Sequence, residues 1–455
     1  MGARAAVMRV VVVGGGVAGL VAARRLALRG AAVTLLERRE RPGGRVARGQ
    51  VAGTVVDTGA ESFAVRGGTV RGLLTDLGLE ADLVDPAGSA WVALGNRTVP
   101  LPAGGVLGIP ASPLADDVRR VVDWPGALRA YADRLVPVLR VGRYDRLGPL
   151  VRGRMGQRVL ERLVAPVVES VYGVDPDEVE VDAIAPQLNA AITATGSLSA
   201  AVLRLRSAAP AGSAVQGVRG GVARLVDALL DDLERFGVAV RTGQEVLGVH
   251  PEPHGPGFTV VTPGEDLETD AVVVAADGAA AFDLLRDAAP TVAELPRPRP
   301  AVSRSVVLAV DDARLDAAPR GSGVLRAPSF TGVRATALTH VTAKWAWVGA
   351  ELPAGRHLLR LAYRGPDEVD PAAVRADASA LTGLDLPEPT DRLDTVWVDS
   401  APPLAPETRA IRAALDAAAL PPRLAVTGSW RTGTGLASVV AGAEAAALAL
   451  EPDLP

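Results

Sequence analysis

The stretch from Arg9 to Glu37, RVVVVGGGVAGLVAARRLALRGAAVTLLE, constrains the fold more than any other part of the chain. Val10 to Val13 form a β-branched run suited to a buried parallel strand. Gly14, Gly16 and Gly19 follow in G-x-G-x-x-G spacing, and a helical pattern then runs to Gly30, a C-terminal stop. A second strand ends on Glu37. Strand, glycines, helix, strand and acid in this order predict a dinucleotide site at the start of an α/β sheet. Gly14 permits the tight turn, Gly16 admits a pyrophosphate, and Gly19 brings helix and strand together. Gly15, Val17 and Ala18 complete the turn and the first helical residues, whose free N–H groups suit an anion. Glu37 is placed to accept hydrogen bonds from a ribose.

Composition narrows the chemistry. The net charge is −4 with no block of basic residues, so nucleic acid is not an expected partner. There are no cysteines, which excludes disulfides, thiolate metal sites, a cysteine nucleophile and a cysteinyl flavin link. The four histidines, His250, His254, His340 and His357, show no ligand-like spacing, and no metal is expected. The apolar run at residues 10 to 23 is too short and too glycine-rich to span a membrane. Only nine residues precede it, too few for a signal peptide, and the expected location is the cytoplasm. Of 48 basic residues, one is a lysine, Lys344 in VTAKWAWV. GC-rich codon bias explains arginine elsewhere and leaves open why this lysine remains.

Two further stretches carry a family resemblance. RRERPGGRV, residues 38 to 46, has an R-x-GG-R pattern soon after the second strand, and DTGAES follows at Asp57 to Ser62. Both resemble the flavoproteins that include amine oxidases, phytoene desaturases and protoporphyrinogen oxidases. That resemblance implies noncovalent FAD, with Arg38, Gly44, Arg45, Gly59, Ala60, Glu61 and Ser62 beside it. LAVTGSWRTGTGLASVVAGAEAAALAL, residues 424 to 450, reads as strand, glycine turn and helix. By the same resemblance, Gly435, Leu436 and Ala437 lie at the flavin, Val246 flanks the adenine, and Trp397 lies near the cofactor.

Four middle stretches are similar to the bacterial protoporphyrinogen/coproporphyrinogen III oxidase family: NRTVPLPAGGVLGIP, LVRGRMGQRVLERLVAPVVESVYGVDPDEVEV, THVTAKWAWVGAELPAGRHLLRLAYRG and VWVDSAPPL. The resemblance runs from residue 9 to about residue 448. It implies an FAD oxidase that uses O2 to convert coproporphyrinogen III to coproporphyrin III in haem synthesis, releasing H2O2. Protoporphyrinogen IX, an amine or a specialised metabolite are alternative substrates, and a flavin-containing porphyrin carrier is the non-enzymatic alternative. A transient contact with a ferrochelatase and at most a peripheral membrane contact fit that setting. No catalytic side chain is assigned. Arg66, Lys344, Arg360 and Arg431 are candidates for the substrate carboxylates, since a guanidinium fork suits carboxylate. Lys344 has three readings: structural, substrate-contacting and flavin-contacting. Departures from the family pattern fall at GTGLASV, PPLAPET and SVY, and bear on substrate identity.

The expected architecture is α/β. A doubly wound FAD-binding domain takes residues 8 to 85, 212 to 295 and 420 to 455. A mixed-sheet substrate domain takes 86 to 111 and 296 to 419, and a helical insertion takes 112 to 211. PRPRP and PAGSAV mark crossings between them.

Overall fold

A computed structural model of the chain describes residues 7–136, 145–207, 215–297, 300–365, 367–400, 406–418 and 420–450. Most of the PAGSAV and PPLAPET stretches and the middle of PRPRP lie outside the described residues.

The Val-rich strand Arg9–Val13 is the centre of a five-stranded parallel sheet. The strand order is Ala239–Arg241, Ala32–Leu36, Arg9–Val13, Ala271–Val274, Leu424–Val426, so three distant parts of the chain meet in it. Such strands are buried on both faces, which is why they read as continuous apolar runs. One face is covered by helices Val17–Leu28, Arg224–Arg235 and Leu436–Leu448 in a single core with Val10, Val12, Leu35 and Val273. Val11, Val13, Val272 and Val274 feed a second core on the other face, with Phe258 and Phe282. Small residues let the first and last helices approach. A Cβ at Gly442 would run into Thr432, so that glycine is a packing requirement.

A seven-stranded mixed sheet lies beside it, in the order Asp391–Ser400, Pro300–Asp311, Arg356–Arg364, Ala337–His340, Gly323–Arg326, Ala90–Leu94, Arg97–Pro100. Only the pair of strands Gly323–Arg326 and Ala90–Leu94 is parallel. Its outer face is a filled core: Val306, Leu308, Leu359, Leu361 and Tyr363 pack with Val374 and Leu381 of helix Pro371–Thr382. Between the strands at 97–100 and 215–218 the described residues are mainly helical, apart from a short hairpin of strands Gly105–Val106 and Ile109–Pro110. Helices Asp116–Tyr131, Leu147–Met155, Ala165–Tyr172, Leu188–Thr195 and Leu198–Ser207 share one apolar core with Val92 and Leu94. The LVRGRMGQRVLERLVAPVVESVY stretch is helical up to the tyrosine, as its pattern predicts, with a break at Gly156 (φ +93). Among the described residues no helix is long and apolar enough to cross a membrane.

Candidate functional site

Ligands of parallel α/β sheets bind beyond the carboxyl ends of the strands. Four of the five strands end on one cleft, whose walls include Val13 and Gly14, Leu36 and Glu37, Ala275 to Asp277, and Gly428 to Trp430. Gly16, Val17, Ala18, Arg38, Gly44, Arg45, Ala60, Val246, Trp397 and Leu436 line it as well. Twelve of the residues predicted to contact the cofactor therefore share this one surface: these ten together with Gly14 and Glu37.

The three glycines of the first turn do different work. Gly14 has φ +107, and a Cβ there would lie 2.8 Å from the Ala275 carbonyl oxygen. A Cβ at Gly19 would run into the Gly14 carbonyl oxygen, so this residue seats the helix on its strand. Gly16 differs from both. Its φ is −68°, open to any residue, and a Cβ there would meet only Gly44 Cα at 4.0 Å. The protein leaves that space free on the cleft side. Helices Val17–Leu28 and Leu436–Leu448 both start at the cleft without a side-chain cap, at Gly16 and Gly435. Two uncapped N-termini with open backbone fit the phosphates of a dinucleotide.

Glu37 is buried at the cleft wall. Its Oε2 accepts from Gly15 N–H at 2.6 Å and its Oε1 from Arg39 N–H at 2.9 Å. Each carboxylate oxygen keeps a further lone pair for a ligand hydroxyl. Arg45 donates to Ser303 Oγ at 2.9 Å, and its guanidinium lies 5.7 Å from the centre of the Trp397 ring. It thus links the cleft to the seven-stranded sheet. Gly59 presses on the Arg45 carbonyl, where a Cβ would clash. Ser62, Gly435 and Ala437 are not among the residues that line the cleft; Gly435 precedes Leu436 at the helix start, and Ala437 packs on the core.

Glu61 is not a cleft residue in this structure. It forms ion pairs with Lys344 and with Arg360, the latter at 3.4 Å, and the three side chains are 16–17% exposed. Arg360 also donates to Ser305 Oγ at 2.8 Å, Gly59 O at 2.7 Å and Thr58 O at 3.3 Å. Trp397 Nε1 donates to the same Thr58 oxygen at 3.2 Å. Two residues predicted as substrate cations are therefore gathered on one predicted cofactor acid, and together they tie the DTGAES loop to the sheet. Lys344 ends the single helical turn Val341–Lys344, not a strand, and its ammonium lies 5.1 Å from the Trp345 ring centre. The remaining lysine thus sits in a structural ion pair. Burial alone would raise the Glu61 pKa, but Lys344 and Arg360 outweigh it and hold the carboxyl below its ordinary range.

Asp57, at the other end of the loop, behaves in the opposite way. Burial pushes it up to about 6, although it accepts from the Val222 and Ala223 N–H groups at 2.9 and 3.1 Å. A folded pKa above the unfolded 3.8 means that the folded state holds the extra proton between about pH 4 and 6. Wild type should therefore gain on the order of 1–3 kcal/mol relative to Asp57→Asn as pH falls from 7 to 4. Paired thermal melts across that range check this, and parallel stability curves would contradict it.

The other two candidate arginines are engaged elsewhere. Arg66 donates to Gln187 Oε1 at 3.2 Å. Arg431 pairs with Asp416 at 3.1 Å and donates to Val426 O at 2.7 Å, away from the cleft. The sequence reading missed Ala275, Ala276, Asp277 and Trp430 on the cleft wall. Trp430 Nε1 donates to Ala276 O at 3.1 Å, and Asp277 caps helix Gly278–Leu284. The signal was present, since AVVVAAD is a buried strand running straight into an acidic helix cap.

The family model described as flavin containing amine oxidoreductase matches residues 17–449, nearly the whole chain. The chain belongs to this flavoprotein family. The flavoprotein is 31% identical to the coproporphyrinogen III oxidase of Mycobacterium leprae, over 97% of this chain and 98% of that one. It is 30% identical to the coproporphyrinogen III oxidase of Propionibacterium freudenreichii subsp. freudenreichii, over 82% of this chain and 75% of that one. Among solved structures it resembles a protein from Exiguobacterium sp. 255-15, provisionally assigned as a protoporphyrinogen oxidase. The TM-score is 0.82 at 26% identity, with 98% of this chain and 99% of that one covered. Cyclohexylamine oxidase from Brevibacterium oxydans IH-35A shares the fold, with a TM-score of 0.66 at 16% identity over 98% and 99% of the two chains. A flavin cofactor follows from the family, and the cleft geometry fits one.

Proposed function

We propose that this flavoprotein is an oxygen-dependent oxidase of coproporphyrinogen III, with noncovalent FAD in the cleft at the strand ends. The observation that carries the reading is the near end-to-end relationship to the Mycobacterium leprae coproporphyrinogen III oxidase. The inner face of the seven-stranded sheet supports it. Beside Trp397 that face presents the small, partly exposed residues Ser303, Ala362 and Ala337, a floor on which a flexible, apolar macrocycle can rest. The absence of cysteine supports noncovalent binding, as does a cleft wall without histidine. Gly16 leaves room for the pyrophosphate, Glu37 takes the ribose, and the two helix N-termini face the anionic parts of FAD.

FAD, when bound, takes two electrons from the porphyrinogen at a time and passes them to O2. The balance is coproporphyrinogen III + 3 O2 → coproporphyrin III + 3 H2O2, with six electrons and six protons leaving the macrocycle. The chain's own side chains then bind, orient and screen the macrocycle, and no nucleophile is required of them. The proposal keeps the division into FAD, substrate and helical domains, a cytoplasmic setting with at most peripheral membrane contact, and a transient contact with a ferrochelatase.

Aerobic incubation of the FAD-loaded protein with coproporphyrinogen III should raise porphyrin fluorescence above the uncatalysed rate, with three H2O2 per porphyrin formed. Tight coproporphyrin binding without that acceleration would instead make the chain a carrier and overturn the proposal.

A further inference from the structure

Two of the four histidines meet in the protein interior. His340 ends strand Ala337–His340, His357 lies near the start of strand Arg356–Arg364, and both are buried. His340 Nε2 lies 3.1 Å from His357 Nδ1, and Thr342 Oγ1 lies 3.0 Å from the same nitrogen. On the other side of the ring, His357 Nε2 lies 2.9 Å from Asp316 Oδ1, on an exposed residue. A carboxylate only accepts, so His357 Nε2 carries a hydrogen. In the neutral ring Nδ1 is then the acceptor, served by the His340 ring N–H and the Thr342 hydroxyl.

The pair joins two elements that both act on Glu61. His340 and Thr342 belong to the start of the turn Val341–Lys344, whose last residue pairs with Glu61. His357 stands three residues before Arg360, the second cation on Glu61. Glu61 in turn follows Ala60, which lines the cofactor cleft. A line of contacts thus runs from His357 through the turn and Lys344 to the DTGAES loop.

A hydrogen bond between two imidazoles needs one facing nitrogen with a hydrogen and one without. When both rings are protonated, each facing nitrogen carries a hydrogen, and two like charges meet in a buried place. The charged groups around the pair are few. Asp316 faces His357, with Asp312 and its partner Arg314 further off. Arg320 and Thr382 share a small cavity with His340. Val310 and Leu359, across the strands from His357 and His340, bring no charge. Burial, and then the charge of His357, press the His340 pKa down from 6.5 to about 4. The folded value lies below the unfolded one, so the closed pair is fully stable above pH 6.5 and loses stability as pH falls towards 4.

We propose that the His340–His357 pair is an acid-sensitive latch on the DTGAES loop: double protonation parts the rings, frees the turn that carries Lys344, and loosens the hold on the cofactor. The latch rests on the noncovalent FAD reading given above. It makes the two histidines positioning residues that act through Lys344 and Glu61.

The test is the FAD dissociation constant, followed by the fluorescence of released flavin, near pH 7 and near pH 4.5. Acidification should raise this constant in wild type by a factor about tenfold or more larger than in His340→Gln. The glutamine amide still donates to His357 and takes up no proton. Asp57 and Glu61 titrate in both proteins, so their effects cancel in the comparison. Asp316→Asn should act in the opposite direction and release flavin at higher pH, because a protonated His357 loses the charge that faces it. Equal pH ratios in wild type and His340→Gln, including a variant weakened by the same factor at both pH values, would overturn the latch and leave the oxidase reading intact. Should His340→Gln fail to fold, Asp316→Asn carries the test, since it changes an exposed residue, and an unmoved release profile there would equally overturn the latch. Flavin that stays on the chain after denaturation would be covalently held, and the noncovalent reading and the latch would fail together.

Discussion

Gly16→Val yields a folded, colourless protein. The backbone at this position accepts any residue, and the only protein atom near a new Cβ is Gly44 Cα at 4.0 Å. The new Cβ is therefore in ordinary contact with the protein at most. The side chain grows from the cleft wall, where the pyrophosphate is expected to reach the helix N-terminus. Flavin affinity should fall roughly 100-fold or more, equivalent to about 2.7 kcal/mol. The melting transition of the flavin-free variant should match that of flavin-free wild type. Gly19→Val offers the contrast, because a Cβ there strikes the Gly14 carbonyl oxygen, so its damage should appear in folding itself. A yellow Gly16→Val protein with wild-type flavin content would show that the pyrophosphate lies elsewhere.

Arg360→Met should destabilise the fold strongly. It strips donors from Thr58 O, Gly59 O and Ser305 Oγ, and it leaves Glu61 with Lys344 alone. Removing one partner from a buried ion pair costs about 3–5 kcal/mol, because the remaining charge is poorly compensated. The penalty depends on pH in a definite direction. Glu61 has a depressed folded pKa, so its ion pairs stabilise the fold above the unfolded value and are lost as pH falls through the folded value. The difference between wild type and Arg360→Met should therefore shrink on acidification. Lys344→Met should follow the same trend with a smaller loss, since Lys344 makes one of these contacts and Arg360 makes four. Denaturant melts at two pH values check this, and a penalty independent of pH would show that the charge on Glu61 is not involved.

The cofactor half of the molecule was legible because its requirements are local. Turn, helix start and acid lie within 29 residues, and each glycine answers to a neighbour close in sequence or on the adjacent strand. The same physics should have identified Asp277, which follows a buried parallel strand and caps the next helix. The substrate half was less legible because its charges are decided by partners far along the chain. Lys344 and Glu61 are 283 residues apart, and Arg360 and Gly59 are 301 apart. Nothing at position 344 or 360 distinguishes a cation waiting for a substrate from one already bound to the protein. Arg431 illustrates the same limit, since its position beside the glycine turn suggests a substrate carboxylate while Asp416 and Val426 hold it.

The most direct test of the whole account is anaerobic mixing of the FAD-loaded protein with coproporphyrinogen III, followed at the flavin absorbance band. Bleaching is expected, with three flavins reduced for each macrocycle fully oxidised. A flavin that stays oxidised with coproporphyrinogen III, yet bleaches promptly with an amine, would contradict the account.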